Sequence, residues 1–366
     1  MELFDELQKV SKAFCIDGQF LGYETIQMGN VNKTYKVNFR MPGGGEKSFL
    51  IQEVNTYAFR DPVGLMNNID KVTEHIRRKN PGRTALHFHH TADRKTYLME
   101  EEGFWRMTNY IRSVTYDTVP NPSLAVSAGR AFGRFQMELS DFSPEELIET
   151  IPNFHNTRWR YEQLRQAIRE NKAGRLAEVQ EEIEYLLSVQ TLACTLTDLQ
   201  QAGQLPLRVT HNDTKVNNVL FDPETLEALT VIDLDTVMPG LVGHDFGDAI
   251  RFGANRTEED SRQLDQVGID LEMFRCFAEG FLSVTAGVLT DTEKDTLALS
   301  AFVMTVEVAV RFLADYLDGD LYFTIKSPDH NLVRARCQIA LARDMLANMP
   351  RMEEIIRECV EKALHA

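Results

Sequence analysis

From Gly22 to about residue 102 three runs, GYETIQM, NKTYKVNF and KSFLIQEV, alternate apolar and polar positions, the period-two pattern of half-buried strands. Gly29-Asn30 and Pro42-Gly43-Gly44-Gly45 stand between them as turn signals. Asp61-Pro62 then places a capping acid before a proline, which predicts a helix running to about Lys79. KTYLMEE, again strand-like, closes this part of the chain near Gly103. After Trp105 the spacing becomes helical, most clearly in GRLAEVQEEIEYLLSVQTLACTLTDLQQ, LALSAFVMTVEVAVRFLADYL and NLVRARCQIALARDMLANM. One interruption breaks the helical region: RVT, HNDTKVNN, VLFD and ALTVIDLD follow one another between about Arg208 and Asp235 as strand, polar loop and two more strands. The expectation is an α+β chain of two lobes, a small β-rich one over residues 1–102 and a large, mainly helical one over 103–366. A small sheet inset in the second lobe displays a loop, where chemistry is commonly placed.

Composition narrows the function classes. A chain of 366 residues is long enough for two cores, and 43% hydrophobic with 26% charged residues is ordinary for a globular enzyme. The net charge of −16 argues against a broad nucleic-acid or anionic-membrane surface, which needs clustered Lys and Arg, and favours a small-molecule substrate. Cys15, Cys194, Cys276, Cys337 and Cys359 are scattered, with no Cys-x-x-Cys pair, and are expected to be idle thiols in a reducing compartment. The amino-terminal MELFDELQKVSKAF carries acids and lacks the pattern of a signal peptide, and no segment is expected to reach the roughly 20 apolar residues of a membrane span. The expected location is the cytoplasm.

The strongest chemical signal is His211-Asn212-Asp213-Thr214-Lys215-Val216-Asn217-Asn218, followed by the strand Val219-Leu220-Phe221 and then by Val231-Ile232-Asp233. His-x-Asp with an Asn five positions beyond the Asp, and a second Asp ending a later strand, is the loop of kinase-like phosphotransferases. Phosphoryl transfer accounts for the residue types. Asp213 orients the acceptor hydroxyl and takes its proton, while Asn218 and Asp233 offer hard oxygen ligands to Mg²⁺ on ATP. The fold implied is the bilobal protein-kinase-like one. Asp245-Phe246-Gly247 spells a kinase metal motif but lies 32 residues past Asp213 and follows the turn-rich MPGLVGH. Asp245 is therefore read as opening a helix and holding the loop backbone, with His211 as a further support. Asp235 either backs the metal ligand or orients the turn.

In the first lobe, Gly29 to Tyr35, with Asn32 and Thr34, is the candidate loop over the nucleotide phosphates. The strand lysine expected to contact phosphates is missing, and Gln52 occupies its slot in Phe49-Leu50-Ile51-Gln52-Glu53. His87, His89 and His90, without nearby acids in sequence, read as a solvated edge instead of a metal site. Gly319-Asp320 reads as a helix exit, and the acidic run around Glu258 as a solvated loop. Arg311 is an odd charge within VEVAVRFLADYL; it snorkels, pairs with an acid such as Asp315, or faces a cleft.

These stretches resemble the choline and aminoglycoside kinase superfamily over nearly the whole chain. GNVNKTYKV, QEVNTYAFRDPVGLMNNIDKVTEHI, THNDTKVNNVLFD, VIDLDTVMPGLVGHDFGDAIRFGAN and RFLADYLDGDLYF are most similar to bacterial N-acetylhexosamine 1-kinases. The resemblance implies ATP and Mg²⁺ as cofactors and the nucleotide under the Gly29 loop against a hinge at Glu101-Glu102-Gly103. It also implies a sugar beside Phe252, Arg311 and Tyr322. Asn30 stands where related sugar kinases carry a histidine, so that contact is not carried over. Kinases of choline, homoserine, methylthioribose or aminoglycosides are the alternative within the superfamily. A pseudokinase that binds nucleotide without turnover is the alternative outside catalysis.

Overall fold

The computed structural model describes residues 3–26, 31–101 and 103–365. The chain opens with α1 (Leu3–Ala13), which lies against a five-stranded antiparallel sheet of order β1-β2-β3-β5-β4. Its strands are β1 (Gln19–Ile26), β2 (Lys33–Arg40), β3 (Glu46–Glu53), β4 (Leu98–Glu100) and β5 (Gly103–Asn109), with α2 (Pro62–Lys79) between β3 and β4. Alternation in β2 buries Tyr35, Val37 and Phe39 on the face that meets Leu7, Val10 and Phe14 of α1. The turn between β2 and β3 is closed by Gly44 and Gly45 at φ 85° and 82°, a region that disfavours side chains with a Cβ. The sheet takes in residues 103–109, pairing Gln52 of β3 with Arg106 of β5. β5 thus belongs to this sheet, although it follows the lobe division expected after residue 102.

α2 begins as its cap predicts: Asp61 Oδ1 accepts the Gly64 amide at 2.8 Å, and Pro62 occupies the first turn. It does not stay with the sheet. Leu65, Met66, Ile69 and Val72 belong to a core shared with α3 (Pro122–Glu138), so apolar packing continues from one lobe into the other.

The helical lobe continues through α4 (Thr157–Glu170), α5 (Gln180–Ser188), α6 (Gln190–Ala193) and α7 (Thr195–Gln201). The long helical stretch expected over residues 174–201 thus holds three short α-helices, ending at Val189, Cys194 and Ala202. Val189, Thr191, Thr195 and Thr197 are poor helix formers, and the breaks let Ile183, Leu186, Ala193 and Leu196 all reach one core. Next come β6 (Arg208–Thr210), β7 (Val219–Phe221), β8 (Ala228–Val231) and β9 (Met238–Gly240), then α8 (Val242–Gly253), α9 (Leu271–Thr285), α10 (Asp291–Asp318), α11 (His330–Ala347) and α12 (Met349–Leu364). β9 occupies the MPG read from sequence as turn; it pairs antiparallel with β6. α10 also corrects the expectation about apolar length. Its 28 residues have a window of mean hydropathy 1.9, enough for a span by composition, yet 83% of that window is buried among the other helices. It is the central core helix, packed on α4, α8, α11 and α12.

Candidate active site

β6 delivers the chain at Thr210 to the loop His211–Asn218, which tightens into a short 3-10 turn at Val216–Asn218 and passes into β7. Asn212 sits at φ 64°, a left-handed conformation that asparagine tolerates. The loop is held from below by α8. Asp245 accepts the main-chain amides of His211 at 3.0 Å and Asn212 at 2.8 Å, and Gln136 of α3 donates to it at 2.6 Å. The Asp245 carbonyl receives the Thr214 hydroxyl at 2.6 Å. Burial pushes the Asp245 carboxyl up, and His211 with these hydrogen bonds opposes that. Both its oxygens are occupied by the loop. One turn on, Asp248 accepts the Thr214 amide at 3.0 Å and is paired with Arg251 at 2.9 Å.

The strand that carries Asp233 is tied to the same loop on two sides. The His211 ring reaches the Ile232 carbonyl at 2.8 Å, edge-on to Phe132 and Phe135, and the Ile232 amide donates to the Asn218 carbonyl at 2.8 Å. Asp213 is half-buried, with the Asn218 amide nitrogen 2.8 Å from its carbonyl and 3.2 Å from Oδ2. Lys215 Nζ lies 2.9 Å from Asp213 Oδ1. Burial pushes the Asp213 carboxyl up, but the Lys215 ammonium, the His211 charge and the Asn218 bond outweigh it and hold it below the usual range. Asp233 lies two residues past the end of β8, at φ 58°, ψ 59°, and is exposed. Desolvation by the cleft walls, then the charges of Asp235 and Asp213, push its carboxyl up to about 7. Crowded like charges of this kind fit a divalent cation. Among the described residues no three His, Cys, Asp or Glu side chains form a complete metal cage. Asn218 and Asp233 would therefore hold Mg²⁺ only together with water and nucleotide oxygens, the usual arrangement for this ion.

The slot of the missing lysine is not without charge. Arg106, opposite Gln52 in the register, is 2% exposed and donates through Nε to Gln52 Oε1 at 2.9 Å. Its two terminal nitrogens grip the Asp235 carboxylate, one at 3.1 Å and the other closer. Gln52 in turn donates to Thr34 Oγ1 at 3.0 Å, and Asn32 donates to Asp235 Oδ2 at 2.6 Å while accepting the Asn55 amide at 2.9 Å. Asn32, Thr34 and Gln52 thus meet in one network, which reaches across the cleft to the residue two places after Asp233. Sequence reasoning missed Arg106; the sign was a charge inside the apolar strand FWRM. Glu101 is exposed at the turn between β4 and β5, while Gly29, Asn30 and Glu102 lie outside the described residues.

Arg311 of α10 is half-buried with its guanidinium carbon 5.2, 5.8 and 5.5 Å from the rings of Phe154, Tyr322 and Phe323. It makes no hydrogen bond or ion pair to a described residue, so its donors are unspent. Asp315, one of its expected partners, is engaged elsewhere: it caps the amides of Leu321, Tyr322 and Phe323 at 2.8–3.0 Å and bonds Asn331 at 2.8 Å. That cap, with Gly319 and Asp320 at φ 101° and 62°, folds the loop after α10 back so that the two rings face Arg311. Phe252, at the far end of α8, packs on the core of α3 and α9 and is not one of these rings. A cavity of about 310 Å³ opens beside Asn212 and His155, but Asp213, Asp233 and Arg311 do not line it. The histidines near β5 do have acids nearby, contrary to expectation: His87 is 4.0 Å from Glu74 and His90 3.7 Å from Asp70, both supplied by α2.

The model of the phosphotransferase enzyme family APH matches residues 66–279, more than half of the chain. Among solved structures, the microcompartment-associated aminopropanol kinase is 16% identical over 94% of this chain and 98% of its own, with a TM-score of 0.61. A spectinomycin phosphotransferase solved with ADP and spectinomycin is 14% identical over 94% and 98%, TM-score 0.58. Choline kinase LicA from Streptococcus pneumoniae is 12% identical over 94% and 99%, TM-score 0.51. At such identities the likeness establishes the fold, the kinase-like pair of a small antiparallel sheet and a helical lobe. On the family match and that fold, the chain belongs to the APH phosphotransferase enzyme family.

Proposed function

We propose that this phosphotransferase is an ATP-dependent sugar kinase that phosphorylates the anomeric hydroxyl of an N-acetylhexosamine, N-acetylglucosamine or N-acetylgalactosamine. The observation that carries the reading is Arg311. An unpaired guanidinium framed by Phe154, Tyr322 and Phe323 suits a neutral, acceptor-rich ring with one apolar face. It disfavours the cationic acceptors of choline-type and aminoglycoside-type kinases, because the aromatic surface that would stabilise an ammonium already holds a fixed positive charge. The reading is supported by the Phe154-His155 pair, since Phe154 meets Arg311 and His155 lies 3.1 Å from the Asn212 carbonyl.

Asp213 is the base in this reading. Lys215 keeps it ionised at neutral pH, so it can accept the anomeric proton, which is more acidic than that of an ordinary alcohol. Asn218 and Asp233 would hold Mg²⁺, which supplies charge neutralisation on the phosphates when bound. The nucleotide would lie between the β1–β2 segment and the turn at Glu101, above the Thr34–Gln52–Arg106 network. Tyr322 would flank the sugar beside Arg311, whereas Phe252, packed on the core, would not. Phosphorus NMR of the product from a panel of sugars and amino alcohols tests the assignment: a phosphate on C1 couples to the anomeric proton. Brisk turnover of an amino alcohol with none of either sugar would overturn it, and nucleotide binding without any turnover would favour a pseudokinase.

A further inference from the structure

Behind the transfer loop lies a buried ion pair that the phosphoryl-transfer chemistry does not use. His155 and Glu307 are 5% and 0% exposed in their side chains, and Glu307 sits in the middle of the apolar helix α10, one turn before Arg311. His155 Nδ1 is 2.8 Å from Glu307 Oε1, and Nε2 is 3.1 Å from the main-chain oxygen of Asn212. The Thr157 hydroxyl donates to the other Glu307 oxygen at 2.7 Å. A carbonyl oxygen only accepts, so Nε2 carries a proton; a carboxylate on the other side requires one on Nδ1 as well. The alternative, a neutral ring beside a protonated Glu307, is disfavoured because the Thr157 donor and the Arg160 charge both favour the ionised carboxylate. Burial pushes the Glu307 carboxyl up, yet the His155 contact and Arg160 outweigh it and hold it well below the usual range. Among the described residues, the other ionisable groups near the pair are cationic or neutral: Arg160 of α4, the Cys194 thiol, Arg311 of α10, and His244 of α8, whose ring centre is 4.9 Å from that of His155.

We propose that His155 is a positioning residue for phosphoryl transfer: as an imidazolium paired with Glu307 it donates to the Asn212 carbonyl and fixes the backbone from which Asp213 projects. The inference rests on the reading of Asp213 as the base. Asn212 is held at its amide by Asp245 and at its carbonyl by His155, so the left-handed residue immediately before Asp213 has both ends clamped. Loosening one clamp displaces the carboxylate without touching either substrate, and a shift of about 1 Å in a reacting group costs on the order of 10²-fold in rate.

Three variants and one spectrum test this. His155→Gln keeps one donor, and the double variant His155→Gln/Glu307→Gln also removes the buried charge, so that folding survives if the single variant proves unstable. Both are expected to lower kcat by about 10- to 100-fold while the KM values for sugar and ATP stay within about two-fold. In nitrogen-detected NMR of the wild type near neutral pH, both His155 ring nitrogens are expected to carry protons. A neutral His155 ring, or a folded double variant with wild-type kcat, would overturn the proposal. Asp213→Asn, measured alongside, separates the two readings: if it retains activity the base assignment fails, whereas an inactive Asp213→Asn beside fully active His155 variants fails the positioning role alone.

Discussion

Asp213 and Asp233 are both aspartates within one cleft, and their surroundings drive them apart. Lys215 and Asn218 stabilise the charge of Asp213, whereas Asp235 and Asp213 oppose that of Asp233. Asp213→Asn is expected to lower kcat by at least about 10²-fold with MgATP affinity nearly unchanged; a variant within a few-fold of wild type would remove Asp213 from the base role. Asp233 makes a different prediction, about stability. Its folded carboxyl titrates near 7 and its unfolded one near 4, so the folded state binds more protons between those values and stability falls as pH rises through that window. Without Mg²⁺, Asp233→Asn should therefore melt above the wild type at pH 8, match it near pH 4, and abolish turnover. Thermal melts at the two pH values decide it, and equal or lower melting of the variant at pH 8 would show that the acids are not crowded as described. The two aspartates and Asn218 were legible because a loop motif fixes residue type and spacing together. Lys215 was part of the same motif but carried no separate signal, and Arg106 was hidden because its partner Asp235 is 129 positions away.

Elements were legible where local chemistry decided them. The cap and proline of α2 and the glycine turn after β2 are both written within four residues. The missed features are settled by distant partners instead. β9 exists because β6 offers it a ladder, and the short helices within 174–201 are placed by the core that they share with α10 and α11. The contact between α3 and α9 belongs to the same class. Cβ atoms built on Gly129 and Gly280 would lie 2.2 Å from the Phe277 carbonyl and 2.1 Å from the Val126 carbonyl, so the two backbones cross in direct contact. Gly280→Ala gains intrinsic helix propensity of about 1 kcal/mol but must push the helices apart, at a typical overpacking cost of about 1–3 kcal/mol. A net loss of stability in urea unfolding is expected, and because α3 supplies Gln136 to Asp245, a lower kcat with it. A variant as stable as the wild type would mean that the crossing is looser than the glycines indicate.

At the scale of the whole molecule, two of the contacts that cross between sheet and helical lobe bear on the site. One is the shared apolar core around α2, which also sends Asn68 to the carbonyls of Ile148 and Val237 at 2.8 and 3.0 Å. The other is polar, the grip of Arg106 and Asn32 on Asp235. The first consists of the chain's own apolar side chains. The second connects Thr34 and Gln52 of the sheet, the proposed nucleotide side, to the turn bearing Asp233, so its loss is expected to appear in metal–nucleotide binding. Arg106 and Asp235 are 2% and 4% exposed, and removing one partner strands the other's charge, a loss of about 3–5 kcal/mol for buried pairs. Arg106→Gln and Asp235→Asn should each weaken MgADP binding by about ten-fold, some 1.4 kcal/mol, with the sugar KM moving less than about two-fold. Because both residues act through one contact, the double variant should bind MgADP no more weakly than the worse single variant. Calorimetry on the four proteins gives the cycle. Additive losses would mean that Arg106 reaches the nucleotide independently of Asp235, and an altered sugar KM with unaltered MgADP affinity would place the network on the acceptor side of the cleft.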